Sequence, residues 1–251
     1  FQGKKELRLM NRDTFPVEIS TISAVVLTHA HLDHSGYLPL LIKKGFRGPV
    51  YSTSGTRDLC KLLLPDSGKL QEEEASYANK RGFSKHHPAL PLYTKEDAEK
   101  SLQQFETVPF EREQQVGNFK ITFYPAGHIL GSACVRVSDK SASILFSGDV
   151  GRPNDLIMRP PREGLEADYL VIESTYGDRV HEAQDPFDQL ETLINRTVKR
   201  KGVMVIPAFA VGRSQALLYA IYKLKDQKRI EDIPVFLNSP MAVNASGIYC
   251  D

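Results

Sequence analysis

Six side chains open the chemistry of this chain. His29, His31, Asp33 and His34 fall within six positions of one another, in the stretch Thr28-His29-Ala30-His31-Leu32-Asp33-His34-Ser35-Gly36, and two further strand-end residues, His128 and Asp149, lie downstream. Imidazole nitrogens and carboxylate oxygens at this spacing are the donor set of a metal site, suited to zinc and also to manganese or iron. A lone histidine would read as packing; His-x-His-x-Asp-His at the end of an apolar run does not. No cysteine is among the candidate ligands, so positions stay open for water, as in a catalytic rather than a closed structural site. His29 and His31 share parity and can face one ion. Asp33 and His34 sit in the following turn, where they can reach a second.

The elements that must position these residues are legible around them. Ala24 to Leu27 is a short apolar run suited to a buried strand, and an apolar helix is expected from Ser35 to about Lys44, with Pro39 tolerated in its first turn and Gly45 as its stop. Pro49 to Ser52 reads as a strand, followed by a helix from Ser54 or Thr56 through Leu64. The charged stretch Asp66 to Lys100 is expected to carry two helical pieces around His86-His87-Pro88, the second opened by a capping box at Thr94-Lys95-Glu96-Asp97. His86 and His87 read as surface or packing residues, not ligands. Phe119–Tyr124, Cys134–Val137, Ser143–Phe146 and Tyr169–Ile172 read as strands, and Asp185–Lys199 as an amphipathic helix. Val203–Ile206, Gly212–Leu224 and Val235–Leu237 then read as strand, helix and strand of a parallel α/β unit.

Several segments together resemble the metallo-β-lactamase superfamily, and within it the β-CASP nucleases. THAHLDHSG resembles the superfamily signature. Pro125-Ala126-Gly127-His128-Ile129-Leu130-Gly131 places His128 where the family carries its third histidine, and Ser147-Gly148-Asp149 places Asp149 where it carries a bridging carboxylate. Val171-Ile172-Glu173-Ser174-Thr175-Tyr176-Gly177-Asp178-Arg179 resembles the first β-CASP motif and looks more like the mRNA 3′-end-processing branch, with its prokaryotic relatives, than like the ribonuclease J branch.

The resemblance implies a four-layer αββα sandwich over residues 1–183, and from 184 to 251 the start of an inserted α/β β-CASP domain. It implies two Zn2+ ions bound by His29, His31, His128, Asp33, His34 and Asp149, with a hydroxide held between them that attacks an RNA phosphodiester. Asp33 also orients the attacking water, and Glu173 orients a later histidine that acts as general acid. That histidine and a last histidine ligand would follow these 251 residues, so this stretch alone is expected to show little nuclease activity. Phe1-Gln2-Gly3 reads either as a tag remnant or as the continuation of the family's first metal-site strand.

Gly212 and Arg213, at the start of a helix, make a plausible phosphate seat, and Phe209 could stack on a base or simply pack a β–α turn. With Tyr176 and Ser239 they are the candidate RNA contacts. Single-stranded RNA is the expected partner, and a homodimer is compatible with the sequence. The rivals are a thioester hydrolase of the glyoxalase II type and a non-catalytic β-CASP scaffold subunit.

The totals agree with such an enzyme. The chain has 251 residues, 41% hydrophobic and 25% charged, with a net charge of +1, so a nucleic-acid site must be local rather than global. No apolar run approaches the roughly 20 residues of a membrane span. Three cysteines, Cys60, Cys134 and Cys250, far apart and odd in number, fit a reducing cytoplasmic setting.

Overall fold

The structure, a computed structural model, describes residues 4–84, 86–180 and 185–250. In chain order its elements are α1 (Lys5–Met10), β1 (Val25–Val26), α2 (Leu32–Ser35), α3 (Leu38–Lys43), β2 (Val50–Ser52), α4 (Ser54–Arg81), α5 (Lys95–Ser101), β3 (Phe105–Thr107), β4 (Glu113–Val116), β5 (Phe119–Pro125), β6 (Ala133–Ser138), β7 (Ser143–Phe146), β8 (Tyr169–Val171), α6 (Pro186–Lys199), α7 (Arg213–Asp226) and α8 (Pro240–Cys250). Phe1 to Gly3, which read in the sequence as a tag remnant or as the continuation of a metal-site strand, lie outside the described residues.

Strand alternation decides which way each layer faces. β1, β2 and β3 form a parallel sheet, with Val25 opposite Val50 and Val26 opposite Tyr51. Val25 and Val50 point to one side, into a core with Leu40 and Leu41 of α3, Leu59 and Leu63 of α4, and Tyr93. Val26 and Tyr51 point to the other, against Ile121, Phe123 and Val135. Those belong to a second sheet of five strands in sequential order, antiparallel except for the parallel pair β7–β8. Helices, sheet and sheet are thus stacked, and Leu165 covers the outer face of the second sheet at Tyr124, Cys134 and Leu145. This is the α/β sandwich expected.

Local departures have local causes. The helix expected from Ser35 to about Lys44 starts at Leu38 and carries Pro39 in its first turn as expected, and a separate single turn of helix, α2, occupies Leu32–Ser35, where the sequence reads as a turn. The helix expected to end at Leu64 runs on to Arg81 through Pro65. Leu63, Leu64 and Gly68 on either side of the proline are buried, and a Cβ at Gly68 would lie 2.7 Å from the Thr94 carbonyl oxygen, so close packing on the start of α5 holds the helix together. The Thr94–Asp97 capping box is present.

Val203–Ile206 and Val235–Leu237 are not strands. Val203, Val205 and Phe236 are 86%, 85% and 87% exposed. Apolar β-branched residues express a preference, but a strand exists only in a ladder, and no strand among the described residues pairs with these segments. α6 and α7 close a small core of their own around Ile194, Ile221, Leu224 and Ile230, whereas Ala245 of α8 joins the main core beside α4.

Candidate metal centre

Three loops at one edge of the sandwich carry the site. The first leaves β1, where the Thr28 carbonyl accepts a hydrogen bond from Ala133 N (2.9 Å), tying it to the second sheet. His29 follows, fully buried, and His31 stands at the N-terminus of α2. That single turn of helix, closed by His34 N and Ser35 N donating to the His31 carbonyl (3.0 and 2.8 Å), turns His34 inward and leaves the Asp33 side chain 60% exposed. Ser35 Oγ donates to the Ala30 carbonyl (2.8 Å), bracing the turn from below.

The second loop presents His128. Its backbone N–H donates to Ser132 Oγ (2.9 Å), and the Gly131 carbonyl accepts from both Thr53 Oγ1 (2.6 Å) and Thr56 Oγ1 (2.9 Å) at the start of α4. Gly131 has φ +76° and lies against that helix so closely that a Cβ would overlap the Thr56 backbone nitrogen. The third loop follows β7 and presents Asp149. A Cβ at Gly148 would be 2.9 Å from the Thr28 Cβ, and Gly151 N donates to the Ala126 carbonyl (2.8 Å).

The side chains converge. His31 Nδ1 lies 3.2 Å from His29 Nε2 and 3.1 Å from His128 Nε2. Nitrogens bound tetrahedrally to a dication at about 2.0–2.1 Å sit about 3.3 Å apart, so this spacing fits one shared ion. Asp149 completes the group: Oδ2 is 3.7 Å from His29 Nε2 and 3.5 Å from His128 Nε2, and the four ligand atoms lie within 4.8 Å of one another. The other oxygen, Oδ1, is 3.2 Å from His34 Nε2, which in turn is 3.7 Å from Asp33 Oδ2. One carboxylate therefore faces two donor sets.

Burial and the close packing of these groups shift their protonation. Burial, with His34 and His31 as close neighbours, pushes the His29 pKa down to about 3, and burial followed by His128 lowers that of His31. The hydrogen bond from His34 takes Asp149 down to about 2, and the same bond raises His34. His29 and His31 are thus held towards the unprotonated form beside an ionised Asp149, which a dication stabilises, whereas Asp149 draws His34 towards its protonated form.

Glu173 stands where expected, at the end of β8 beside this edge. Its carboxylate accepts from Val150 N (3.0 Å) and Thr175 N (3.2 Å), and the Val150 bond is the main cause of its lowered pKa. It therefore holds the loop residue next to Asp149. Tyr176 is exposed just beyond, Phe209 is 79% exposed, and Arg213 is exposed at the start of α7. Ser239 is half-buried and accepts from Ala242 N (3.2 Å), capping α8. Gly212, at φ +82°, sets the start of α7 against Ile129, next to His128; a Cβ there would be 3.2 Å from Ile129 Cγ2. His86 and His87 are exposed and outside the metal-capable group.

Sequence reasoning passed over two sets of supporting residues. Thr53, Thr56 and Ser132 fix the His128 turn, and only the helix-start pattern after Ser52 hints at the first two. Gln215 is buried: its Oε1 accepts from Gly212 N (2.7 Å), while Nε2 donates to the Ala210 carbonyl (3.0 Å) and Ser246 Oγ (3.0 Å), fastening the 208–212 turn to α8. Its position three residues after the helix start was the available signal. Cys60, Cys134 and Cys250 are free thiols, the first two buried.

Residues 14–202 match the family model described as the Metallo-beta-lactamase superfamily. The chain belongs to the metallo-β-lactamase superfamily. Among curated proteins it is 34% identical to "Ribonuclease TTHA0252" of Thermus thermophilus, over 99% of this chain and 53% of that protein. It is 30% identical to "Cleavage and polyadenylation specificity factor 73" of Drosophila melanogaster, over 99% of this chain and 37% of that protein. It is 34% identical to "Transcription termination factor FttA" of Methanosarcina mazei, over 90% of this chain and 34% of that protein. These superfamily relatives bear out the β-CASP resemblance. The chain spans between about a third and a half of their length. Among the described residues no helix is long and apolar enough to cross a membrane.

Proposed function

We propose that this chain carries the metal centre of a metal-dependent ribonuclease that hydrolyses phosphodiester bonds of single-stranded RNA in the cytoplasm. The observation that carries the reading is the convergence of three imidazoles on one point, with Asp149 presenting its two oxygens to two donor sets. The names of the relatives, ribonuclease and cleavage factor, supply the reaction class and favour it over a thioesterase or a scaffold subunit.

In this reading His29, His31, His128 and Asp149 would hold one ion, and His34 and Asp33, with Asp149 shared, a second, with zinc the best match to the donors and manganese or iron also suited. When bound, such ions lower the pKa of water and offset the negative charge of a phosphodiester. The chain's own residues then divide the work. Asp33, exposed at the mouth, accepts the hydrogen of the attacking water and aligns it. Glu173 positions the Asp149 loop through Val150. Arg213, Tyr176, Phe209 and Ser239 line the approach of the RNA, and residues from about 184 begin the second domain.

Elemental analysis of the full-length protein should find about two metal ions per chain. Cleavage of a labelled single-stranded RNA should vanish on chelation and return on adding zinc or manganese. A fully reconstituted protein that binds no metal, or that cuts RNA equally well without it, would overturn the reading.

A further inference from the structure

Positive charge is concentrated far from the metal edge. Between Arg196 and Asp232 there are nine Lys or Arg residues and three Asp or Glu, a net +6 in a chain whose total is +1, and all but Arg213, at the start of α7, lie away from that edge. Two of the cations are neutralised where they stand: Lys225 pairs with Asp232 (2.7 Å), and Arg229 with Asp188 and Glu191 (both 2.5 Å). Arg196, Lys199, Arg200, Lys201, Lys223 and Lys228 make no ion pair among the described residues. Only Asp226 and Glu231 remain to oppose them nearby.

These side chains share one end of the α6–α7 pair. Asn195 Nδ2 donates to the Arg229 carbonyl (3.1 Å), which seats the turn after α7 on the last part of α6. Lys199 stands one helical turn beyond Asn195, and Lys228 precedes Arg229, so the C-terminal ends of the two helices lie together. A cation at a helix C-terminus complements the dipole, an effect that falls off within the last turn. On α7, Lys223 lies 5.6 Å from the centre of the Tyr219 ring and 6.0 Å from that of Tyr222. The two rings are 6.2 Å apart, and both are exposed, Tyr222 by 57%. Since α7 begins beside Ile129 and runs for 14 residues, this end is roughly 20 Å from the metal edge.

We infer that the joined C-terminal ends of α6 and α7 form a second, non-catalytic binding surface for single-stranded RNA, its phosphates met by the Arg196, Lys199 and Lys228 cluster and its bases by Tyr219 and Tyr222. Cations tracking a backbone beside exposed rings are the makings of a sequence-tolerant single-strand site. The inference rests on RNA being the substrate, and it adds a place that holds the strand away from the cut.

The test uses full-length protein, binding measured by fluorescence anisotropy with a labelled RNA of roughly 20 nucleotides on an Asp33→Ala background. Each phosphate contact on single-stranded nucleic acid contributes about 0.7 to the salt slope, so the triple change Arg196→Gln, Lys199→Gln, Lys228→Gln should lower the slope by about 2 and the affinity about a hundredfold at 0.1 M salt. Tyr222→Ala should weaken binding about tenfold with the slope unchanged. With Asp33 intact, the triple variant should raise KM for the long RNA and leave the cleavage rate of a dinucleotide as it was. All three residues of the triple are exposed, so folding should be untouched, and a melting curve checks it. An unchanged slope and KM would overturn the inference while RNA cleavage itself stands. Binding of anionic vesicles or acidic peptides but not RNA would also overturn it. RNA binding that depends on this surface without any RNA cleavage would uphold it and sink the ribonuclease reading instead.

Discussion

Gly131→Ala should damage the metal centre from outside it. Gly131 has φ +76°, a conformation that costs an alanine about 1–2 kcal/mol. The added Cβ would sit 2.6 Å from the Gly55 carbonyl carbon and 2.7 Å from Thr53 Oγ1. Ordinary contact between such atoms is about 3.5–4.0 Å, so the turn or the start of α4 must give way by about 1 Å. Overpacking of this kind costs a further 1–3 kcal/mol or so, for a total near 2–5 kcal/mol. The movement also strains the two threonine hydrogen bonds to the Gly131 carbonyl and displaces His128, three residues away. Metal ligands tolerate only about 0.2 Å of misplacement, and loss of a supporting contact typically costs about 10–100-fold in metal affinity. Gly82→Ala is the matched control, because Gly82 has φ +67° with nothing within 4 Å of its absent Cβ. Thermal unfolding and zinc competition against a chelator should separate the two variants: both lose stability, but only Gly131→Ala loses metal affinity. Equal behaviour would refute the claim that close approach of the His128 turn to α4 sets the ligand geometry.

Asp33→Ala should keep its melting temperature within a degree or two and lose nearly all RNA cleavage, since the side chain is 60% exposed; cleavage near the wild-type rate would show the site misread. Asp149→Asn should bind fewer metal ions than the wild type when counted by elemental analysis, because one residue faces both donor sets. In metal-free protein, His29 has a folded pKa of about 3 against 6.5 unfolded, so its contribution is present above pH 6.5 and is lost as pH falls towards 3. That is about 1.4 kcal/mol per pH unit at most, or about 2–3 kcal/mol between pH 6.5 and 4.5, read from urea unfolding in the presence of chelator. His29→Asn should flatten that limb, and an unchanged pH profile would argue against a neutral buried imidazole.

The residues that converge at the candidate metal centre were legible because their information is local. Four of them sit in six consecutive positions after one apolar run, and the other two each close a strand that alternates or is wholly apolar. The Thr94–Asp97 cap is equally local. What could not be read depends on partners distant in sequence. Val203–Ile206 has the composition of a strand, but composition cannot supply a neighbour to pair with. Glu113–Val116 has the opposite problem: its polar residues hide a true strand, paired to β5 across the Gly117-Asn118 turn, and that dipeptide was the overlooked sign. The continuation of α4 past Pro65 depends on Gly68 meeting Thr94, a contact 26 positions apart. The threonine bonds to Gly131 span more than 70 positions and leave no trace in the local pattern.

The three loops of the metal edge are joined mainly through main-chain atoms: Ala133 N to the Thr28 carbonyl, Gly151 N to the Ala126 carbonyl, Gly148 against Thr28. Such seams are indifferent to most side chains. Drift in the surrounding sequence can therefore remodel the walls of the cleft, and so the choice of substrate, without retuning the spacing of the ligands. The glycines at the seams have no such latitude, because any larger residue there would separate the loops. Diversification of a scaffold built this way runs along its rim while its hub stays fixed, held by positions whose side chains do no chemistry at all.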